Sequence, residues 1–348
     1  MKGISASARR TRRSVELENT PDSLQSRLEE RLVGQPDAVR AIVPYVQMFE
    51  AGLSPEGRPA GVFLLLGPTG TGKTRTVEAL AAALHGSERN LVRIDCGEFQ
   101  MEHEVAKLIG APPGYLGHRE TVPLLNQQRL NSVTSDRSPL SILLFDEIEK
   151  ASPSLHRLLL GILDKGVLRL GDNSTVLFER TLIFLTSNLG AKDMGKALRP
   201  DFGFARGLEA PSDAAGRLES IALNAVRRKF SPEFLNRIDA TVTYRPLDRD
   251  SLERILELLL EDTQDLIDRR LGARTFHLMV PARSRRWLIE QGTSRELGAR
   301  ELKRVLHRCL IQPVAALVAA GRVEPGSVLA LNVTEDRFEV VVHNERAA

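Results

Sequence analysis

Cysteine is nearly absent from this chain. Cys96 and Cys309 are the only two in 348 residues, and they stand far apart. That excludes a disulfide framework and any cysteine-based metal or redox spacing, and it suits a reducing, cytoplasmic setting. The seven histidines, at 85, 103, 118, 156, 277, 307 and 343, show no ligand spacing. They read as surface or packing residues, and no metal other than Mg²⁺ is expected. No run approaches the ~18 apolar residues that a membrane-crossing helix needs, and there is no internal repeat. An excess of basic charge is also missing outside one place. The net charge is +3, yet Lys2, Arg9, Arg10, Arg12 and Arg13 all precede the first acidic residue, so the rest of the chain is slightly negative. The excess belongs to a tail and not to a folded face, which argues against nucleic acid as a partner. The tail, residues 1–20, has no apolar run behind its arginines and is neither a secretory nor a twin-arginine signal. Its composition fits a transit peptide or, better, a disordered arm.

What the chain has in quantity is ordinary globular material, 42 % hydrophobic and 27 % charged, at a length that allows one sizeable core plus a smaller domain. The organising stretch is GVFLLLGPTGTGKT, residues 61–74. Residues 62–66 are an unbroken apolar run, as expected of a strand buried on both faces of a parallel sheet. Gly67, Pro68, Thr69, Gly70, Thr71, Gly72, Lys73 and Thr74 then fit the phosphate-binding loop in full. Glycines expose converging backbone N–H groups to a polyphosphate, and the helix that follows favours negative charge at its N-terminus. Lys73 would reach the β and γ phosphates of ATP, and Thr74 would hold Mg²⁺ through its hydroxyl. A plain glycine turn between strand and helix is the competing reading. The strand before and the helix-forming TRTVEALAAALH after weigh against it, and the missing third glycine disfavours a dinucleotide site.

Strands are expected at 62–66, 91–95, 142–146, 182–186 and 240–244, with helices near 21–32, 38–49, 73–85, 98–109, 121–133, 152–164 and 215–229. This alternation predicts an α/β fold: a parallel sheet between helices, with ligands at the carboxyl ends of the strands. Residues 187–214 are rich in glycine and proline and read as a surface excursion. The composition shifts near 246–248, which divides the chain into a nucleotide-binding domain, 21–247, and a smaller C-terminal α/β domain, 248–348. The latter is expected to hold helices at 251–271, 282–291 and 299–320, a strand at 276–280 and a closing hairpin at 328–333 and 338–342. Within the first domain, the apolar run 142–145 ends in Asp146 and Glu147. Asp146 fits the Mg²⁺ partner of Thr74, and Glu147 fits the base that polarises an attacking water.

LLFDEIEK, the upstream GAPPGYLGH, the downstream TSNLG and FSPEFLNRID, and the late LGARELKR occur in one order at one spacing. In that order they resemble the second ATPase domain of the Clp unfoldases (ClpA, ClpB, ClpC) of the AAA+ superfamily, over about residues 32–342. The resemblance implies roles for residues that composition alone leaves open. Asn188 matches the first sensor, which orients water against the γ phosphate; the alternative is a turn cap. Arg237 matches an arginine finger that reaches the nucleotide of a neighbouring subunit, against the alternative of a surface ion pair. Arg300, in Gly298-Ala299-Arg300, matches the second sensor. Val33, Gly34 and Gln35 match the adenine-pocket segment, a weaker signal.

Tyr115 and Leu116 match the pore loop that grips a threaded polypeptide, although the loop departs from the family's pattern at residues 118–123. A tyrosine packed on its own turn is the alternative there. Phe202, Gly203 and Phe204 lie near where peptidase-docking relatives carry an apolar-Gly-apolar tripeptide; docking on a peptidase or adaptor and folding onto the chain's own surface both remain open. The implied activity is ATP hydrolysis by a homo-oligomeric ring, expected to be hexameric, that unfolds protein substrates. An ATP-controlled assembly factor without threading and, less favoured, a nucleic-acid-directed ATPase are the rivals. The ~30 residues ahead of Leu32 are too few for a substrate-recruiting domain or a first ring, so a stand-alone second-ring module is expected.

Overall fold

The computed structural model describes residues 23–110, 122–197, 211–294, 298–334 and 337–343. Its strands in chain order begin with β1 (Gly61–Leu66), β2 (Val92–Asp95), β3 (Ser141–Asp146), β4 (Val167–Arg169), β5 (Thr175–Leu177), β6 (Thr181–Ser187) and β7 (Ala240–Thr243). Five of these form a parallel sheet in the order β2-β3-β6-β1-β7. Every residue of β1, β3 and β6 is buried. Consecutive side chains on a strand point to opposite faces, and here both faces are covered. Val62, Leu64 and Leu66 join one apolar cluster with Leu143, Phe145, Ile183 and Leu185. Phe63 and Leu65 join the other with Ile142, Leu144, Leu182 and Phe184. Phe63 and Phe184, partners in the β1–β6 register, stack at 4.9 Å. Each buried leucine or phenylalanine here contributes about 1.5–3 kcal/mol, so the frame that carries the site is also the most apolar part of the fold.

Helices Leu24–Arg31, Pro36–Glu50 and Lys73–His85 pack on one face, and Pro153–Lys165 and Pro211–Lys229 on the other. Several helical expectations need correction. The stretch expected as one helix at 98–109 breaks into short pieces, Cys96–Glu98, Glu102–Val105 and Ala106–Ile109, because Asp95 and Glu104 side chains take the backbone N–H groups of Gly97 and Met101. The helix expected at 121–133 shrinks to Gln127–Ser132, started by the Asn126 side chain on the Arg129 N–H at 2.8 Å. The excursion at 187–214 contains a helix, Ala191–Ala197, and the helix expected from 215 starts at Pro211. The antiparallel hairpin β4–β5 was not anticipated, since three-residue strands show too little alternation.

The C-terminal region, a smaller domain, has its own apolar cluster, built from Leu252, Leu256, Leu288, Leu302, Leu310 and Leu331 among others. Its helices are Arg249–Leu271, Ala282–Gly292, Ala299–Leu306 and Gln312–Ala319. The last two were expected as one. They are joined by a wider turn at His307–Ile311, next to Pro313, which has no N–H to give the carbonyl four residues back. A three-stranded sheet closes the domain: β8 (His277–Met279) runs parallel to β9 (Val328–Thr334), which pairs antiparallel with β10 (Arg337–His343).

Candidate active site

Parallel strands bring their carboxyl ends to one edge, and three loops meet there: the one after β1, the Asp146–Glu147 pair ending β3, and Asn188 after β6. They surround a cavity of about 540 Å³. One wall is residues 69–74, a second is Asp146, Glu147, Thr186 and Asn188, and a third is Arg300 with Leu247 and Leu259 from the C-terminal side; Val33 and Gln35 complete it. Gly34, Gly67 and Pro68 do not line it. Gly67 instead presses on the main chain beyond β7, where a Cβ would fall 2.7 Å from the Tyr244 carbonyl oxygen, at φ +145°. Only glycine fits that approach.

Lys73 is buried at the head of its helix. Its Nζ donates to the carbonyls of Gly67 (2.7 Å) and Pro68 (2.8 Å) and to Asn188 Oδ1 (2.9 Å). Burial pushes the ammonium down from 10.5 to about 8, opposed by the negative charges of Glu149, Asp146 and Glu147, while Arg300 adds to the lowering. A cation that burial has stripped of water is a receptor for phosphate charge.

Asp146 accepts from Thr186 Oγ1 at 2.5 Å and is ion-paired with Arg93. Glu147 sits in the left-handed region at φ 57°, a strained conformation for a residue with a side chain. It is held there by its own N–H, which donates to Thr186 Oγ1 at 3.0 Å. The Glu147 carboxylate accepts from Asn188 Nδ2 at 3.3 Å and is ion-paired with Lys150. The Asn188 N–H in turn donates to Glu149 Oε1 at 3.0 Å.

Thr186, Glu149, Arg93 and Lys150 escaped the sequence reading. Glu149 and Lys150 stood in plain view in DEIEK, and Thr186 is a polar residue closing an apolar run. Gln35 is spent structurally as well as lining the cavity: its Nε2 donates to Thr71 O (3.2 Å) and Arg245 O (2.9 Å), clamping the phosphate loop to the segment after β7.

For Mg²⁺, the oxygens of Thr74 and Asp146 are hard donors of the right kind, and a magnesium ion normally takes few protein ligands, the rest being water and phosphate. Among the described residues no group of three or more His, Cys, Asp or Glu could hold a metal by itself.

Arg237 is elsewhere. It precedes β7, at the opposite edge of the sheet, where Asp239 holds the Val62 N–H at 2.8 Å at the start of β1. A strand of this length spans about 15–20 Å, so Arg237 and the phosphate loop of one chain do not meet. Arg300, on the helix Ala299–Leu306, does line the cavity. The helix start is docked on the phosphate loop itself: the Ala299 N–H donates to Gly70 O at 3.1 Å, and a Cβ on Gly298 would fall 2.7 Å from that same oxygen. Tyr115, Leu116, Phe202, Gly203 and Phe204 lie outside the described residues.

Comparison with known proteins agrees with this geometry. Residues 58–241 match the AAA domain (Cdc48 subfamily), and residues 247–331 match the C-terminal, D2-small domain of ClpB protein. The chain is 38 % identical over 306 residues to the chaperone protein ClpB of Meiothermus ruber, covering 88 % of this chain and 33 % of that one. It is 37 % identical over 331 residues to ClpB of Mesorhizobium japonicum, covering 93 % and 35 %. Among solved structures, a closed-state Hsp104 with ATPγS and FITC casein aligns with a TM-score of 0.77 at 27 % identity, over 95 % of this chain and 53 % of that one. The extended conformation of an S. cerevisiae Hsp104:casein complex gives 0.78 at 27 %, over 94 % and 53 %. The chain thus spans about a third of the curated relatives and half of the solved ones. With both halves matched in order, it belongs to the AAA domain family, in the Clp branch whose second nucleotide-binding module it resembles.

Proposed function

We propose that this chain hydrolyses ATP as a ring of identical subunits and uses the cycle to pull on protein chains. Family membership implies the ATPase. The ring is supported by one observation above all: Arg237, the residue that matches the arginine finger, lies a strand length from the chain's own phosphate-binding cavity, at the other edge of the sheet. A group that the fold carries but cannot deliver to its own site is suited to a neighbour's.

In the proposed reaction Lys73 leaves the Gly67 and Pro68 carbonyls for the β and γ phosphates. Thr74 and Asp146 would hold Mg²⁺, which when bound neutralises charge on the bridging phosphate oxygens. Glu147 accepts a proton from the attacking water, and Asn188, already hydrogen-bonded to both Lys73 and Glu147, fixes that water against the γ phosphate. Arg300 ties the C-terminal domain to the nucleotide state, since its helix start is already bonded to the phosphate loop. Arg237 from the adjacent subunit stabilises charge on the transferring phosphoryl, a contribution of ~10³–10⁵ in rate. Tyr115 and Leu116 are assigned to gripping the substrate. Casein in the Hsp104 structures supports a polypeptide as that substrate.

The test is the ATPase rate with an unstructured protein and, separately, with DNA. Stimulation by the protein is expected. Stimulation by DNA alone would overturn the reading.

A further inference from the structure

Arg237 is held by two carboxylates whose purpose the cavity does not explain. Its side chain is 21 % exposed, with Nε 3.4 Å from Asp164 Oδ1 and Nη2 3.2 Å from Glu233 Oε1. Nη1 donates to the Glu233 carbonyl at 2.7 Å. Glu233 is a neighbour on the same short segment. Asp164 is not; it comes from the far end of the helix Pro153–Lys165, next to its last residue. That is the wrong place for a carboxylate on local grounds, because a helix C-terminus carries partial negative charge and favours cations. The helix alone therefore does not account for Asp164, whereas the guanidinium beside it does. The Arg237 Nε is enclosed and has no aligned hydrogen-bond acceptor, so the Asp164 charge is what steadies that edge of the fork. A guanidinium has five N–H donors. Nε faces Asp164, Nη1 spends one N–H on the Glu233 carbonyl and Nη2 is ion-paired with the Glu233 carboxylate, so the outer Nη edge keeps donors to offer.

We propose that Asp164 is a positioning residue for catalysis in the neighbouring subunit: it holds the Nε edge of Arg237 so that the remaining Nη donors are presented to the phosphate of an adjacent copy. The proposal rests on reading Arg237 as a group that acts between subunits. Its reach is confined to turnover. Asp164 touches neither the cavity nor the groups that would hold nucleotide.

The experiment uses the full chain and mixed rings. Asp164→Asn is expected to lower kcat about 10- to 100-fold, the size of effect that a misplaced catalytic group produces, with nucleotide Kd and ring assembly unchanged. Asp164→Glu should recover part of the loss. Folding is not at stake, because Asp164 is about half exposed and both the lost ion pair and the relieved helix dipole are small, so the thermal midpoint is expected to shift little. Mixing Asp164→Asn with Lys73→Ala chains, which carry an intact Arg237 but a dead phosphate loop, should restore turnover at the Asp164→Asn sites. Arg237→Ala mixed with Lys73→Ala is the control. If that control is rescued and the Asp164→Asn mixture is not, Asp164 acts within its own subunit and the proposal is overturned. Wild-type turnover in Asp164→Asn alone overturns it equally. If the Arg237→Ala control is never rescued, the intersubunit reading fails first and the role of Asp164 falls with it.

Discussion

Lys73 is where burial and charge meet most directly. Its ammonium is pushed down to about 8, chiefly by burial. For a base whose folded pKa lies below its ordinary 10.5, the folded protein gives up the proton first as pH rises, and the cost of burying the charge is full below about 8 and relieved between 8 and 10.5. Bound phosphate reverses the balance by favouring the cation. Affinity for a non-hydrolysable ATP analogue is therefore expected to be flat up to pH 8 and then to weaken toward about tenfold per unit as binding takes up a proton. Titrations between pH 7 and 9.5 check this, and a slope that survives Lys73→Met would assign it to another group. Glu147→Gln separates binding from chemistry at the same site: phosphate and metal contacts remain while the proton acceptor is lost. Tight ATP binding with turnover reduced by at least 10²-fold is expected, in line with the range for removing a general base. Thr186 carries a prediction of its own. Its hydroxyl serves both Asp146 and the Glu147 N–H, so Thr186→Val keeps the shape and strips both bonds. A loss of about 1–3 kcal/mol is expected for the buried groups left unpaired, read as a lower thermal midpoint together with a lower kcat.

At the scale of elements, the decisive contact is a helix start laid on a loop. Gly298 adopts φ +51° with Gly70 O directly above its Cβ position, and Ala299 N–H bonds that oxygen. A side chain at 298 is excluded twice, by conformation and by space. Gly298→Ala is expected to push the helix Ala299–Leu306 off the phosphate loop and weaken nucleotide binding about tenfold or more. Arg300→Ala should weaken it without lowering thermal stability, because Arg300 faces the cavity and not the core. Equilibrium titration and calorimetry on the two variants distinguish loss of docking from loss of a charge. The elements best read from sequence were those with strong, uniform signals, the apolar strands β1, β3 and β6 above all. The weak ones misled. Residues 98–109 carry helical spacing, but local side-chain to backbone bonds at Asp95 and Glu104 break the run, and no periodicity shows such competition.

For the whole molecule, the distance between Arg237 and the cavity turns a topological fact into an expectation about assembly. ATPase activity per chain should fall on dilution as subunits separate, since each site then lacks its neighbour's guanidinium; a dilute, strictly monomeric preparation with undiminished turnover would refute this, measured by light scattering alongside phosphate release. What the order of residues determined alone was the chemistry available: a complete phosphate-binding loop, an acidic pair behind an apolar run, and a set of motifs that resemble one family. Those signals are local, because glycine freedom, strand burial and strand-end position act within a few residues of themselves. Tertiary structure decided which of these groups meet. Asp146, Glu147 and Asn188 join Lys73 because parallel strands end on one edge, and Arg300 joins them because Gly298 has no side chain. Arg237 stays apart because its segment enters β7 from the opposite edge, where Asp164 and Glu233 hold it. Separation in sequence carries no record of which end of a strand a residue occupies in space, and only the register of the sheet supplies it.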